Sequence, residues 1–349
     1  MNDKNYCLQN EKCDTGNTGD IPVISTTLSM NDYLGAFKAR WGFGRMDYTV
    51  KPGLYAVGKP DNESPVLVSA NYKLTFDTVR KNLAGVNCWL LILDTKGVNV
   101  WCAAGKGTFG TDELVHRIEK SELSKYVSHK KLILPQLGAT GVAAHEVKSR
   151  SGYNVEYGPI RAEDIKEYIH AGYKATKEMR TVNFTMWDRV VLTPVELVPA
   201  LKISLPIMGV MLLANKFIQK PFDTTDFAAY AGAILSGSVI TPTLLPYIPG
   251  KAFALKGWIA GLGITALITG LTGKKKKRNP LLAVGHLLLF PALSSYLAIN
   301  FTGASTYTSP SGVNKEMKKA LPYIVGTTLI GGALTLGVHL INGRKRNEA

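Results

Sequence analysis

Four stretches in the second half of this 349-residue chain contain no Asp, Glu, Lys or Arg: 227–250, 257–273, 279–314 and 320–343. Nothing else in the sequence constrains the fold as strongly. A helix needs about 20 residues to cross a hydrocarbon core of about 30 Å. Each run meets that length, or approaches it with its flanks. A fifth apolar segment, 190–214, is weaker, because it holds Glu196, Lys202, Pro194, Pro199 and Pro206. The expected helices are about 190–214, 227–250, 252–273, 280–302 and 320–342, an all-α transmembrane domain of four to five helices within 190–343. Gly261, Gly263, Gly331 and Gly332 suit close helix–helix approach.

The formal net charge is +15, and part of it is clustered. Lys274 to Arg278 reads KKKKR and Arg344-Lys345-Arg346 lies near the end, both beside apolar runs. If all five segments cross and the upstream part is cytoplasmic, the first cluster falls outside. If 190–214 only lies along the membrane, four crossings keep both clusters inside. The positive-inside rule favours four. The expectation is a multi-pass protein of the inner cell membrane with its upstream domain in the cytoplasm. A nucleic-acid interface would interleave basic residues with exposed aromatics on a soluble surface, and that pattern is missing. His286 and His339 fall inside uncharged runs; as isolated residues they read as packing or hydrogen-bonding groups rather than a site.

Before about residue 190 the pattern is that of an α/β domain over 21–182, following a polar, disordered tail at 1–20. Residues 21–60 are rich in Gly and aromatics and read as loops and short strands. Strands are expected at 65–69, 88–94, 131–135 and 155–158. Helices are expected at 75–83, from Asn99, at 111–125, around His145 and at 161–180. The run Cys88-Trp89-Leu90-Leu91-Ile92-Leu93 is continuously apolar, as in a strand covered on both faces of a parallel sheet. In such Rossmann-like sheets ligands bind where strands end and turns lead into helices. The segment Asn99–Lys106 and the turn Gln136–Gly141 both fall there.

The cysteines are Cys7, Cys13, Cys88 and Cys102. No C-x-x-C pair is present, so neither a zinc ribbon nor an iron–sulfur motif is expected, and the spacing is not that of a disulfide framework. Cys7 and Cys13 read as incidental in the tail. Cys102 sits inside Asn99-Val100-Trp101-Cys102-Ala103-Ala104-Gly105-Lys106. Ala103, Ala104 and Gly105 offer a surface that a flat partner could press against, with Trp101 bracing the helix from behind. Cys102 is then either a small buried hydrophobe or a soft ligand to a transition metal whose other ligands come from a macrocycle.

From Pro52 to about Arg180 the chain resembles the corrinoid-binding domain of the corrinoid iron–sulfur protein of anaerobic one-carbon metabolism. The resemblance rests on Pro52-Gly53-Leu54-Tyr55, the stretch Ser69 to Asp77, the run Asp94 to Thr111, PQLGATGVAAHEV from Pro135, and Tyr157 to Asp164. The chain departs from that relative in lacking the cluster motif and the barrel domain. N-V-W-C-A-A-G-K followed by membrane-type runs resembles the HgcA family of corrinoid proteins in microbial mercury methylation.

The resemblance implies a cobalamin cofactor. It makes Asn99 to Lys106, with Val100, Trp101, Ala103, Ala104 and Gly105, a cap helix over the corrin face, and Cys102 the catalytic axial ligand to cobalt. Thr75, Thr108 and the turn Gln136, Leu137, Gly138, Ala139, Gly141 and Val142 are the further cofactor contacts. No D-x-H-x-x-G motif supplies a competing histidine. The implied reaction moves a methyl group from cysteine-ligated methylcobalt to Hg(II). The implied partners are a methyltetrahydrofolate-type donor or its methyltransferase for reloading, and a ferredoxin-like iron–sulfur protein as reductant. A thiolate trans to the methyl pushes electron density onto that carbon and favours its leaving as a carbanion equivalent to an electrophile. The alternative enzymatic reading is a corrinoid methyl carrier of a one-carbon or acetyl-CoA pathway. A third is a transporter or receptor taking corrinoid as cargo, which would need a polar pathway through runs that carry almost no ionisable residues.

Overall fold

The computed structural model describes residues 21–217, 222–273, 279–308 and 310–347. The 1–20 tail, with Cys7 and Cys13, lies outside them. The chain divides into an α/β unit up to Val182 and a helical unit from Asn183, the latter including Arg40–Gly42.

The α/β unit holds a six-stranded sheet. Its strands are β1 (Val23–Ile24), β2 (Gly53–Val57), β3 (Val66–Ala70), β4 (Cys88–Leu93), β5 (Lys131–Leu134) and β6 (Asn154–Tyr157), in the order β1-β2-β4-β3-β5-β6. Every neighbouring pair is parallel except β2–β4, which runs antiparallel with Gly53 opposite Ile92. The sheet is thus mixed where a parallel one was expected. A continuous apolar run says that both faces are covered, not which way the neighbour points. All of β4 is buried. Trp89, Leu91 and Leu93 join one apolar layer, and Cys88, Leu90 and Ile92 join the other, as the two-residue side-chain period requires. Burial pushes the Cys88 thiol up to about 12, so it stays protonated and inert.

Six helices surround the sheet: α1 (Met30–Arg40), α2 (Lys73–Asn82), α3 (Val100–Lys106), α4 (Thr111–Lys120), α5 (Ala144–Ser151) and α6 (Ile165–His170). Two depart from the sequence reading. The stretch read as loops and short strands contains α1, opened by a reciprocal cap. The Ser29 N–H donates to Asp32 Oδ2 at 2.8 Å, and the Asp32 N–H to Ser29 Oγ at 3.3 Å. The helix expected over 161–180 reduces to α6, because Gly172 (φ 64°) and Tyr173 (φ 65°) turn the chain left-handed. Asp32 also joins α1 to α2. Lys73 Nζ lies 2.6 Å from Asp32 and 2.7 Å from Asp77, and Arg80 lies 2.8 Å from each.

The helical unit comprises α7 (Met186–Phe217), α8 (Thr224–Leu235), a π turn (Ser236–Ile240), α9 (Thr241–Thr243), α10 (Phe253–Gly273), α11 (Pro280–Asn300) and α12 (Pro310–Asn347). Among the described residues, four helices are long and apolar enough to cross a membrane: Met186–Phe217, Phe253–Thr272, Pro280–Gly303 and Ser311–Ile341. The number matches the favoured count, but the membership differs. The segment 190–214, expected to lie aside, belongs to the 32-residue α7, and 227–250 is the interrupted one. Three prolines do not break α7. Pro194 has no N–H for the Val190 carbonyl, and the Thr193 hydroxyl donates to that carbonyl instead, at 2.8 Å.

The run from α8 through the π turn to α9 returns alongside α7. Asn215 and the Phe222 backbone exchange hydrogen bonds of 2.7 and 2.8 Å at one end. At the other, Arg189 Nε donates to the Thr243 carbonyl at 3.0 Å. The chain therefore traverses the unit five times in alternating direction. Close approach of α10 to α11 rests on glycine: a Cβ at Gly257 would meet Ala298 Cβ at 2.4 Å and the Ser294 carbonyl at 2.8 Å.

Candidate functional site

Three turns leave the carboxyl ends of the adjacent parallel strands β4, β3 and β5 at one edge of the sheet. They lead into α3, α2 and the 136–141 turn. Asn71, at the end of β3, organises the first. Its Oδ1 accepts from the backbone N–H of Thr95 and of Gly97, each at 3.1 Å. Lys96 (φ 57°) and Gly97 (φ 70°) take left-handed conformations, turning the chain sharply out of β4. Glu113 Oε1 accepts from the Asp94 N–H at 2.7 Å and from Arg117 Nη2 at 2.6 Å, pinning the strand end to α4.

The next turn of chain is α3. Asn99 caps it as expected, its Oδ1 accepting from the Cys102 N–H at 2.9 Å. Gly107, left-handed at φ 82°, closes it after seven residues. Val100, Ala103 and Ala104 face inward and belong to the sheet's apolar layer, while Trp101, Cys102, Gly105 and Lys106 face outward. Cys102 is a free, exposed thiol. A Cβ added at Gly105 would meet nothing within 4 Å. Cys102 and Gly105 are three residues apart and share a face.

This corrects two expectations. Ala103 and Ala104 do not present their methyl groups outward. Both are buried in the sheet's apolar layer, and Gly141 packs on the Ala104 backbone, where an added Cβ would lie 2.9 Å from Ala104 Cα and against the Phe109 carbonyl oxygen. Trp101 does not brace α3 from behind, because it is 43% exposed. The surface open to a flat partner is therefore Cys102 with Gly105, flanked by Trp101 and Lys106.

The 136–141 turn packs directly against α3. Gly138 lies under the Phe109 ring, where a Cβ would come within 2.6 Å of Cε1. Gln136 Oε1 accepts from Arg180, whose Nη2 donates to the Tyr157 carbonyl at 3.2 Å. The Tyr157 hydroxyl donates to the Val142 carbonyl at 2.6 Å. Gln136, Leu137, Ala139 and Gly141 are half-buried, and Gly138 and Val142 buried. Thr108 reaches the Thr95 carbonyl at 3.4 Å. Thr75, half-buried in the first turn of α2, stands at the same end of the strands. The sequence reading passed over Asn71 and Phe109 as site builders. A lone Asn after an apolar strand was the available signal for the first; nothing local marked the second.

The site offers one soft donor, Cys102, which among the described residues belongs to no cluster of three or more His, Cys, Asp or Glu side chains. That suits a metal carried in a macrocycle and does not suit a bare ion. The open face at Gly105 is compatible with a planar group over Cys102.

Fold and site define an α/β domain with a thiol-bearing helix at the strand ends, followed by a helical domain with four membrane-length helices. Comparison with known proteins narrows the class. A family described as CO dehydrogenase/acetyl-CoA synthase delta subunit matches residues 43–169, inside the α/β unit. The chain is 34% identical over 122 residues to the acetyl-CoA decarbonylase/synthase complex subunit gamma of Methanopyrus kandleri, covering 34% of this chain and 26% of that one. It is 31% identical over 144 residues to the subunit gamma of Methanocaldococcus jannaschii (40% and 29%). It is 38% identical over 120 residues to subunit gamma 2 of Methanosarcina thermophila (33% and 25%). The chain thus spans about a quarter of the length of the curated relatives it matches.

Outside this site, His286 and His339 converge on Asp226 in the helical unit. They are not the isolated residues that the sequence suggested.

Proposed function

We propose that the chain is a corrinoid-dependent methyl-transfer protein. Its α/β unit would hold cobalamin against α3, and its helical unit would anchor that module in the inner membrane. The observation that carries this is Cys102: a free, exposed thiol on a capped helix at the strand ends, with an open glycine face one turn on. Similarity to subunits of acetyl-CoA decarbonylase/synthase supports the one-carbon setting. It favours a methyl carrier of that pathway type, served by a pterin-linked methyl donor and a ferredoxin-like iron–sulfur reductant.

A bound corrinoid supplies cobalt that can take up and release a methyl group; the chain supplies the rest. Cys102 would furnish a sulfur ligand to the cobalt. Asn99 holds the helix end that carries it. Gly105 leaves room for a planar ring, and the Gln136–Val142 turn keeps α3 seated on the sheet.

A second reading has Hg(II) as the acceptor, and a specific observation favours it. The donor on α3 is a thiol, and a thiolate bound to cobalt would favour giving up the methyl to an electrophile, whereas a pathway carrier passes its methyl to a nucleophile. Anaerobic reconstitution of the full chain with cobalamin tests both. The native protein is expected to retain one corrinoid with a spectrum altered by sulfur ligation, and Cys102→Ala to lose that alteration. An identical spectrum for Cys102→Ala would end the axial-ligand reading. Methyl transfer from the loaded protein to Hg(II), but not to a nickel or thiol acceptor, would select the second reading; the reverse would select the first.

A further inference from the structure

The helical unit holds a cluster that the methyl-transfer reading does not use. Asp226 opens α8, His286 lies two turns into α11, and His339 lies late in α12. Three different helices therefore bring their side chains to one point, although the residues are 60 and 113 positions apart in the chain. His286 Nε2 is 2.7 Å from Asp226 Oδ1, and His339 Nε2 is 3.3 Å from the same oxygen. Asp226 and His286 are buried, and the His339 side chain is 10% exposed.

We infer that Asp226, His286 and His339 form a binding site for a divalent transition-metal ion of the zinc class. Two imidazoles and one carboxylate are a donor set that zinc favours, with a fourth position left for water or another ligand. The three donor atoms lie within 4.8 Å of one another, so one ion could reach all three. The carboxylate is already aimed. Asp226 Oδ2 accepts from the Asp223 N–H at 2.6 Å in a capping box, which leaves Oδ1 pointing at both rings. Such outer hydrogen bonds orient metal ligands.

The convergence sets this cluster apart from an ordinary core histidine. Both rings turn Nε2 to the same carboxylate oxygen, His286 from a fully buried position, so two imidazoles and a carboxylate already face one point. The His286 Nδ1, on the far side of the ring, has no hydrogen-bond partner among the described residues. Access lies on the His339 side. The Phe222 ring stands 5.5 Å from the His339 ring, edge-on, held by the paired hydrogen bonds between the Phe222 backbone and Asn215.

The test uses the full chain, purified in detergent with no affinity tag. Zn(II) is measured by elemental analysis after dialysis, and Co(II) serves as the spectroscopic probe. One equivalent is expected in the native chain. His339→Gln and Asp226→Asn are each expected to weaken zinc binding by more than the roughly 10–100-fold typical of outer-shell changes. Zn(II) should raise the melting temperature of the native chain and not that of His339→Gln. X-ray absorption on the native zinc-loaded chain needs no variant and should show two imidazoles with only oxygen besides. Sulfur in that shell would place the metal on a cysteine and overturn the site. So would equal zinc affinity in native and variant chains, or no stoichiometric binding. In the last case the cluster is a hydrogen-bonded ion pair alone.

Discussion

Two glycines beside the thiol separate packing from ligand approach. Gly141→Ala puts a methyl group 2.2 Å from a backbone oxygen and 2.9 Å from Ala104 Cα. Neither neighbour can swing away, so the variant should lose about 1–3 kcal/mol, the usual cost of overpacking, and urea unfolding of the chain reads it. Gly105→Ala meets nothing within 4 Å. It should gain up to about 1 kcal/mol from helix propensity and yet bind cobalamin more weakly. Tighter binding in that variant would show that the Gly105 face is not the one approached. Asn99→Ala removes the only side-chain cap of α3 and should cost about 1 kcal/mol. A bulky residue at Ala103, which is wholly buried, should act on stability rather than on the cofactor alone.

Among the elements, the pair α1 and α2 carries a pH dependence. Burial raises the Asp32 carboxyl, but hydrogen bonds from Lys73 and Ser29 outweigh it and hold the group below the usual carboxylate range. A carboxyl depressed in the folded state binds fewer protons than it does unfolded. Its stabilisation is complete above the unfolded value of about 3.9 and drains away as pH falls below that. Asp32→Asn should therefore lower stability at pH 7 and flatten the acid limb below about pH 4, measured by denaturant titrations across that range.

Legibility also differed by element. The strand β4 and the Asn99 cap stood out because each is written in consecutive residues. The helix α1 was missed although Ser29 and Asp32 spell its cap; the surrounding glycines and aromatics looked like loop. The direction of β2 carries no local signal. In the site, Cys102 was visible, but the inward turn of Ala103 and Ala104 comes from how α3 packs on the sheet's apolar layer, which no spacing rule gives. The pairing of His286 and His339 with Asp226 is invisible for the same reason, since only tertiary packing joins them.

At the scale of the whole chain, five alternating passes decide where the charge falls. Phe217, the start of α8, the end of α10, the start of α11 and the late part of α12 share one end of the helical unit, as the meeting of Asp226, His286 and His339 requires. In the sequence, Lys274 to Arg278 come directly after α10, and Arg344 to Arg346 fall in the last turns of α12. The chain enters the unit at the other end. If all five passes lie in a membrane, a cytoplasmic α/β unit and cytoplasmic basic clusters are mutually exclusive, whereas the sequence alone had made them compatible. A cysteine introduced near Lys276, in a chain otherwise free of reactive thiols, should be labelled from the side opposite to one introduced near Lys177. Labelling of both from one side would restore an even number of crossings.

The Arg189 side chain carries a further implication, for how such a chain is made. It is 3% exposed, and it donates to the Phe184 carbonyl at 2.6 Å and to the Thr243 carbonyl at 3.0 Å. The second partner is synthesised 54 residues after the arginine itself. Until Thr243 has emerged and folded back, the first apolar helix carries a guanidinium that lacks one of these two bonds. That helix and its return strand of helix are thus expected to enter the lipid as a hairpin, with the ribosome already past residue 243 when the first of them settles.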